Sequence, residues 1–262
     1  MRQDLTIARA HIPLIDARTA DRFADAPEFV LHDEGDLKIC YAPFDHIETE
    51  ARLVIVGITP GMGQARAAFA ATHRALIRGD SLEATLAEAK LEASFSGSMR
   101  GNLVAMLDAV GVNTHLNVAS TSALFAPGSR AIHMTSALRY PVFFRSKNYS
   151  GTPSMLRQPA LRAMVENHLV EEVQSLPNAL WLPLGPKVEE ALNHLAGRGQ
   201  LDPSRIIAGM PHPSGLNAER IAVFLGRKDP ALASRQTNPT KLLNSFARLK
   251  SRFGQKPEGA CA

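Results

Sequence analysis

Two short stretches of this chain carry residue types that can do chemistry at close quarters. The first is Gly57-Ile58-Thr59-Pro60-Gly61-Met62-Gly63. Glycines there let backbone amides approach an anion or a flat ring. The second is Pro211-His212-Pro213-Ser214-Gly215, in which two prolines lock the backbone on either side of an imidazole. Each has a plainer reading: a strand-to-helix turn for the first, a rigid exposed turn for the second. Neither is a common fingerprint. The first lacks both G-x-G-x-x-G and the G-K-[ST] ending of a phosphate-binding P-loop. No G-x-S-x-G surrounds Ser214, so it is not read as a hydrolase nucleophile.

Metal and disulfide chemistry find little support. Cys40 and Cys261 stand far apart, and the 9 histidines form no H-E-x-x-H pair. No metal and no cofactor is expected. No run of 18 apolar residues occurs, and the N-terminus lacks an apolar signal core, so neither a membrane span nor a secretory leader is expected. The cytoplasm is the expected compartment, and a monomer the expected state. Net charge is +4, unevenly spread. Between Gly226 and Ala262, eight Lys/Arg face two acids, a net +6, which leaves −2 for the rest. Such an arm suits a phosphate backbone, or equally a solvated helix face.

The elements around the two stretches decide where they can act. Residues 28–42 read as a hairpin turning at Glu34-Gly35-Asp36, and Arg52–Gly57 as a buried parallel strand. Helical periodicity covers about 65–77, 81–91 (with Ser81 as cap), 99–110 and 160–175. In the last of these, Glu172 shares the spacing of Leu161, Val165 and Leu169. Further strands are expected over 131–138, 179–185 and 205–210, with a long loop up to about Gln158. Helices follow at 187–195, 218–225 and from Pro239. Strands alternating with helices predict an α/β fold: a three-layer αβα sandwich around a central, mostly parallel sheet of about four strands. Residues 1–262 are read as a single domain, with an N-terminal hairpin extension over about 1–50 and a basic helical arm over about 227–262. Both motifs then fall at the carboxyl ends of strands, where such sheets bind ligands.

Together the two loops resemble the signature motifs of the uracil-DNA glycosylase superfamily. Its first loop has the form G-x-(D/N/A)-P-(Y/G), its second (H/N)-P-S-(P/G/A). The nearest look is to the mismatch-specific branch, whose loops read GINPG and NPSGL. Between them, His133-Met-Thr-Ser-Ala-Leu-Arg-Tyr-Pro141 is similar to the family's T-N-x-(V/L)-(K/R) segment, and Leu182-Pro-Leu-Gly185-Pro-Lys-Val to the strand before the second motif. The resemblance covers about Arg52 to Leu225. It implies an enzyme that flips a nucleotide out of DNA and cleaves the N-glycosidic bond, in base-excision repair or in defence against modified phage DNA. It also implies roles. His212 would hydrogen-bond the leaving base, and Thr59 would orient water. Ile58, Phe69 and Ser136 would bind the base, with Phe69 either stacking on it or packing as a core residue of the helix over about 65–77. Gly61, Gly63, Ser214 and Gly215 would hold phosphates, and Leu216 would wedge into the vacated stack.

Two positions depart from the pattern. Thr59 stands where many members place Asp or Asn, and a hydroxyl is no general base at neutral pH. Ser136 stands where uracil readers place Asn, which puts strict uracil selection in doubt and admits other deaminated bases or bulky modified pyrimidines. His133, Arg139, Arg145 and Lys147 lie nearby, to read base or phosphate or simply to be solvated. A catalytically weak DNA-binding module on the same fold is the second reading. A small-nucleotide binder using Gly57–Gly63 is the third.

Overall fold

The computed structural model describes residues 3–254. Lys256 and Glu258 of the basic arm, and Cys261, lie outside the described residues.

Among the described residues, seven strands form two sheets. They are β1 (Val30–Glu34), β2 (Leu37–Cys40), β3 (Leu53–Gly57), β4 (Ile132–Ser136), β5 (Val142–Phe144), β6 (Lys147–Asn148) and β7 (Leu180–Pro183). The central sheet is parallel, in the order β4-β3-β7. Every residue of β3 is buried, which is why its sequence is a continuous apolar run rather than an alternation. Its side chains divide between two cores. Val54 and Val56 pack on one face, with Phe69, Leu86, Leu161 and Leu192 from the helices Met62–Arg78, Leu82–Ala93, Pro159–Met164 and Pro186–Gly197. Leu53 and Ile55 pack on the other, with Leu103, Phe224 and Leu249 from the helices Ser98–Ala109, Ala218–Phe224 and Pro239–Phe253. This is the layered α/β sandwich that the alternation of elements predicts.

Three features differ from the sequence reading. The fourth strand, expected over 205–210, is reduced to two isolated parallel bridges, Trp181 to Ile206 and Leu184 to Met210. A 3-10 turn occupies Pro203–Arg205, and Gly209 has φ +118, so the ladder cannot run continuously. The long loop after β4 contains a second hairpin: β5 and β6 pair around Arg145 and Ser146, both with positive φ. The N-terminal hairpin joins it, because β2 pairs with β5, giving an antiparallel sheet in the order β1-β2-β5-β6. That sheet therefore belongs to the body of the fold. The helix over 159–175 is continuous and passes through one π-helical turn at Val165–Leu169.

Other local expectations match. The N-terminal hairpin turns at Gly35, with φ +58. Ser81 caps its helix by accepting from the Ala84 amide at 3.2 Å. The basic C-terminal helix is anchored by Leu249 and Phe253, both fully buried, while Lys241, Arg248, Lys250 and Arg252 face solvent.

Candidate active site

The parallel sheet brings both motifs to one edge. Gly57 at the end of β3 lies opposite Ser136 at the end of β4. The pairing continues past both strands, as the Ala137 amide donates to Gly57 O at 2.8 Å and that of Leu138 to Ile58 O at 3.0 Å. On the other side, the Leu184 amide donates to Val56 O at 2.9 Å, and the Gly185 amide to Met210 O at 3.0 Å. His212 follows two residues later. The two loops are thus separated by β7, or about 10 Å at ordinary strand spacing.

The first loop has most of its polar groups engaged within the protein. Thr59 Oγ1 donates to Tyr140 O at 2.9 Å and accepts from the Val142 amide at 3.2 Å. The expected water-orienting hydroxyl therefore serves as a clamp between this loop and the start of β5. The Gly61 amide donates to Gln64 Oε1 at 3.0 Å, and the Met62 amide to Asn148 Oδ1 at 3.1 Å. Gly63 stands in the first helical turn, where amides have no partner within the helix. Ile58 is half-buried and packs against the core.

A narrow pocket with room for about one water opens beside this loop. Pro60 and Gln64 line one side, Phe44 and Phe95 supply aromatic surface, and Ser136, Lys90 and Arg139 supply polar groups. Phe69 is not among the residues that line it. Its ring is 1% exposed and lies 5.0 Å from Phe23 and 5.3 Å from Phe29, centroid to centroid. It is a core residue, and stacking on a base would require unpacking three phenylalanines. Phe95 is the aromatic residue that faces Gly57 and Ser136; its ring lies 3.5 Å from where a Gly57 Cβ would stand. Its backbone is left-handed, φ +50, which is uncommon outside glycine. Sequence reasoning missed it because it falls in Ser94-Phe95-Ser96-Gly97, between two helices. An aromatic stranded in a Ser/Gly connection was the available signal.

The second loop is held from behind and open in front. Asn102 Nδ2 donates to Pro213 O at 2.9 Å, and Asn217 Nδ2 to Ser214 Oγ at 3.1 Å. The Ser214 amide donates to His212 Nδ1 at 3.2 Å. An amide can only donate, so Nδ1 is the acceptor and the neutral ring carries its proton on Nε2. Burial lowers the His212 pKa and favours that neutral form. Gly215–Asn217 forms one 3-10 turn that presents Leu216 with its side chain wholly exposed, at 100%.

Under the pocket lies a buried ionic cluster. Arg139 donates through Nε at 3.2 Å and Nη2 at 3.0 Å to Glu172, and through Nη1 to Glu171 at 2.9 Å. His133 donates through Nε2 to the other Glu172 oxygen at 3.2 Å and accepts the Glu48 amide on Nδ1. Desolvation pushes the His133 pKa down to about 4. Burial would raise the Glu172 pKa, but the surrounding cations Lys90 and Arg139 win and hold it well below the usual carboxylate range. Asp45 accepts from Tyr41 and Tyr140 at 3.0 and 2.6 Å, and its burial raises its pKa. So His133 and Arg139 are neither solvated nor base-reading; they hold Glu172. Arg145, by contrast, is exposed and paired with Asp36 at 2.7 Å, and Lys147 is exposed.

A Gly/Pro loop and a His-Pro-Ser loop stand on the carboxyl edge of one parallel sheet, the edge at which open α/β sheets generally bind ligands. The family model described as the uracil DNA glycosylase superfamily matches residues 44–233, and the chain belongs to that superfamily. Its members typically are glycosylases acting on DNA. The chain is also 37% identical over 204 residues to the uncharacterized protein YoxB of Bacillus subtilis (strain 168), an alignment covering 77% of this chain and 80% of the relative. No solved structure matches. No helix among the described residues is long and apolar enough to cross a membrane.

Proposed function

We propose that this protein is a monofunctional DNA glycosylase that flips a damaged or modified base out of DNA and hydrolyses its N-glycosidic bond, leaving an abasic site. The setting is base-excision repair or defence against modified phage DNA. The carrying observation is the second loop: a neutral His212 with its Nε2–H unengaged among the described residues, beside a fully exposed Leu216. Leu216 fills the space that the extruded base leaves. As the C1′–N bond breaks, its electron pair moves onto the base, and His212 Nε2 donates to the base oxygen that gains charge. A preorganised donor of this kind stabilises the transition state by about 3 kcal/mol. Water then adds at C1′ and releases a proton to solvent. Phe95 and Ser136 are the base-facing residues of the pocket, and Gly63, Ser214 and Gly215 contact phosphates.

One observation favours a second reading, a DNA-binding module with little or no activity. The Thr59 hydroxyl is occupied by Tyr140 and Val142, and the motif offers no carboxylate to activate water. The test is incubation with duplex and single-stranded oligonucleotides bearing uracil, hypoxanthine, or hydroxymethylated and glucosylated cytosine, followed by quantification of abasic sites. Abasic sites on at least one substrate are expected. Binding without any abasic site would decide for the module.

A further inference from the structure

Behind the exposed Leu216 turn runs a relay of hydrogen bonds that the mechanism above does not use. It starts at Glu219, in the first turn of the helix Ala218–Phe224. The two Glu219 oxygens accept from Lys228 Nζ at 2.6 Å, the Ser234 amide at 3.1 Å, Ser234 Oγ at 2.5 Å and Thr237 Oγ1 at 2.6 Å. These donors, Lys228 foremost, hold its carboxyl well below the usual carboxylate range. The clasp pins the segment 228–237 against that helix, and Gln236 with it. Gln236 O accepts from Arg220 Nη2 at 3.2 Å, while Arg220 Nη1 donates to Asn217 Oδ1 at 3.0 Å. A guanidinium only donates, so the amide atom that faces it must be the oxygen. Asn217 Nδ2 is thereby turned to Ser214, and it donates to Ser214 Oγ at 3.1 Å. Ser234, Gln236 and Thr237 lie beyond residues 44–233, so the outer anchor of the relay stands outside the family match.

We propose that Arg220 and Asn217 are positioning residues that aim the Ser214 hydroxyl proton at a DNA phosphate. The reasoning is one of sign. A hydroxyl carries one proton and accepts on its lone pairs. With the Asn217 amide donating into Ser214 Oγ, the Ser214 proton has no acceptor among the described residues. It is therefore available to a phosphate, whose oxygens only accept and which forms the stronger, charge-assisted kind of hydrogen bond. A reversed Asn217 amide would take that proton on Oδ1 and leave only lone pairs facing the strand. Arg220 forbids the reversal. The same Asn217 closes the 3-10 turn that carries Leu216, because its backbone amide donates to Ser214 O at 2.9 Å. One residue thus sets both the phosphate donor and the turn that presents the wedge. The proposal rests on the glycosylase reading in that Ser214 meets a phosphate.

The test uses a duplex carrying one tetrahydrofuran abasic-site analogue, so that no choice of base enters. Dissociation constants of the full chain are read by fluorescence anisotropy at fixed salt, and melting temperatures are recorded alongside. Ser214→Ala is expected to weaken binding about tenfold, the scale of a hydrogen bond to a charged group. Arg220→Met is expected to weaken it by a similar factor, yet by less than about threefold once Ser214 is already alanine, because the relay then has no proton to aim. Arg220→Lys keeps the charge and a donor for Asn217 Oδ1, and is expected to stay within about threefold of the natural protein. Asn217→Asp reverses the sign, since a carboxylate draws the Ser214 proton inward. Adding Ser214→Ala to it is expected to cost less than about twofold. Equal losses from Arg220→Met in both backgrounds would mean that Arg220 acts by its own charge or through the fold, and would overturn the proposal. So would a Ser214→Ala effect that is absent, or one that survives Asn217→Asp. Abasic-site formation is measured separately on base-bearing oligonucleotides. Coupled binding without abasic sites would leave the relay standing and remove the glycosylase reading, and excision without coupling would remove the relay alone.

Discussion

The two signature loops sit on one sheet edge yet handle their polar groups in opposite ways. In the Gly57–Gly63 loop, the Thr59 hydroxyl and the amides of Gly61 and Met62 all bond inward, to Tyr140, Val142, Gln64 and Asn148. In the His212–Leu216 loop, the inward bonds run through Nδ1 of His212, Pro213 O and Ser214 Oγ. His212 Nε2 has no hydrogen-bond partner among the described residues, and the Leu216 side chain is fully exposed. A loop whose groups are engaged is a brace, and a loop that is braced from behind and open in front can act. On this comparison, chemistry concentrates in the second loop and positioning in the first.

The sharpest break of that comparison is His212→Ala. Loss of the Nε2 donor is expected to lower abasic-site formation by about 100-fold or more. The melting temperature should barely move, since the side chain's one protein bond is to a neighbouring amide. Comparable activity in the variant would return the chemistry to the first loop. Leu216→Ala comes next. Its side chain touches nothing in the free protein, at 100% exposure, so stability should stay within about 0.5 kcal/mol. Excision from duplex is expected to fall about tenfold, with a smaller loss on single strands, because a single strand needs no filled stack. Equal losses on both substrates would show that Leu216 binds rather than wedges.

Much of this contrast was legible in the sequence, and the illegible part has a common cause. The buried run of β3, the Gly35 turn and the Ser81 cap are local features, and local propensity governs them. The proline-locked His212 was readable as a fixed imidazole for the same reason. The sequence left Phe69 open between base and core because spacing within a helix says which face a residue lies on but not what packs there; Phe23 and Phe29, from an N-terminal segment that looked peripheral, claim its ring. The engagement of Thr59 depends on Tyr140 and Val142, some 80 positions away in the chain, and no pattern around residue 59 announces it. Lys90 and Glu172 left a fainter trace. Lys90 shares helical spacing with Leu86, Ala89 and Ala93, and Glu172 with Val165 and Leu169. A charge on an apolar stripe signals a buried pair, although it cannot name the partner.

The smallest expected effect is also the most direct test of the first loop as a brace. Thr59→Val keeps the shape of the side chain and removes the hydroxyl. Tyr140 O then loses a donor and the Val142 amide an acceptor, at a half-buried site. Leaving such groups unsatisfied costs about 1–3 kcal/mol, to be read from denaturant melts. Thr59→Ser keeps the hydroxyl and should recover most of that loss. Activity per folded molecule is expected to change by less than about threefold in both variants, because the hydroxyl's proton is committed to Tyr140 O and a neutral hydroxyl is no general base. The opposite pattern, intact stability with a collapse of excision in Thr59→Val alone, would mean that the hydroxyl leaves its clamp when DNA binds. The brace and the active loop would then be one device, and the contrast between them a property of the free protein only.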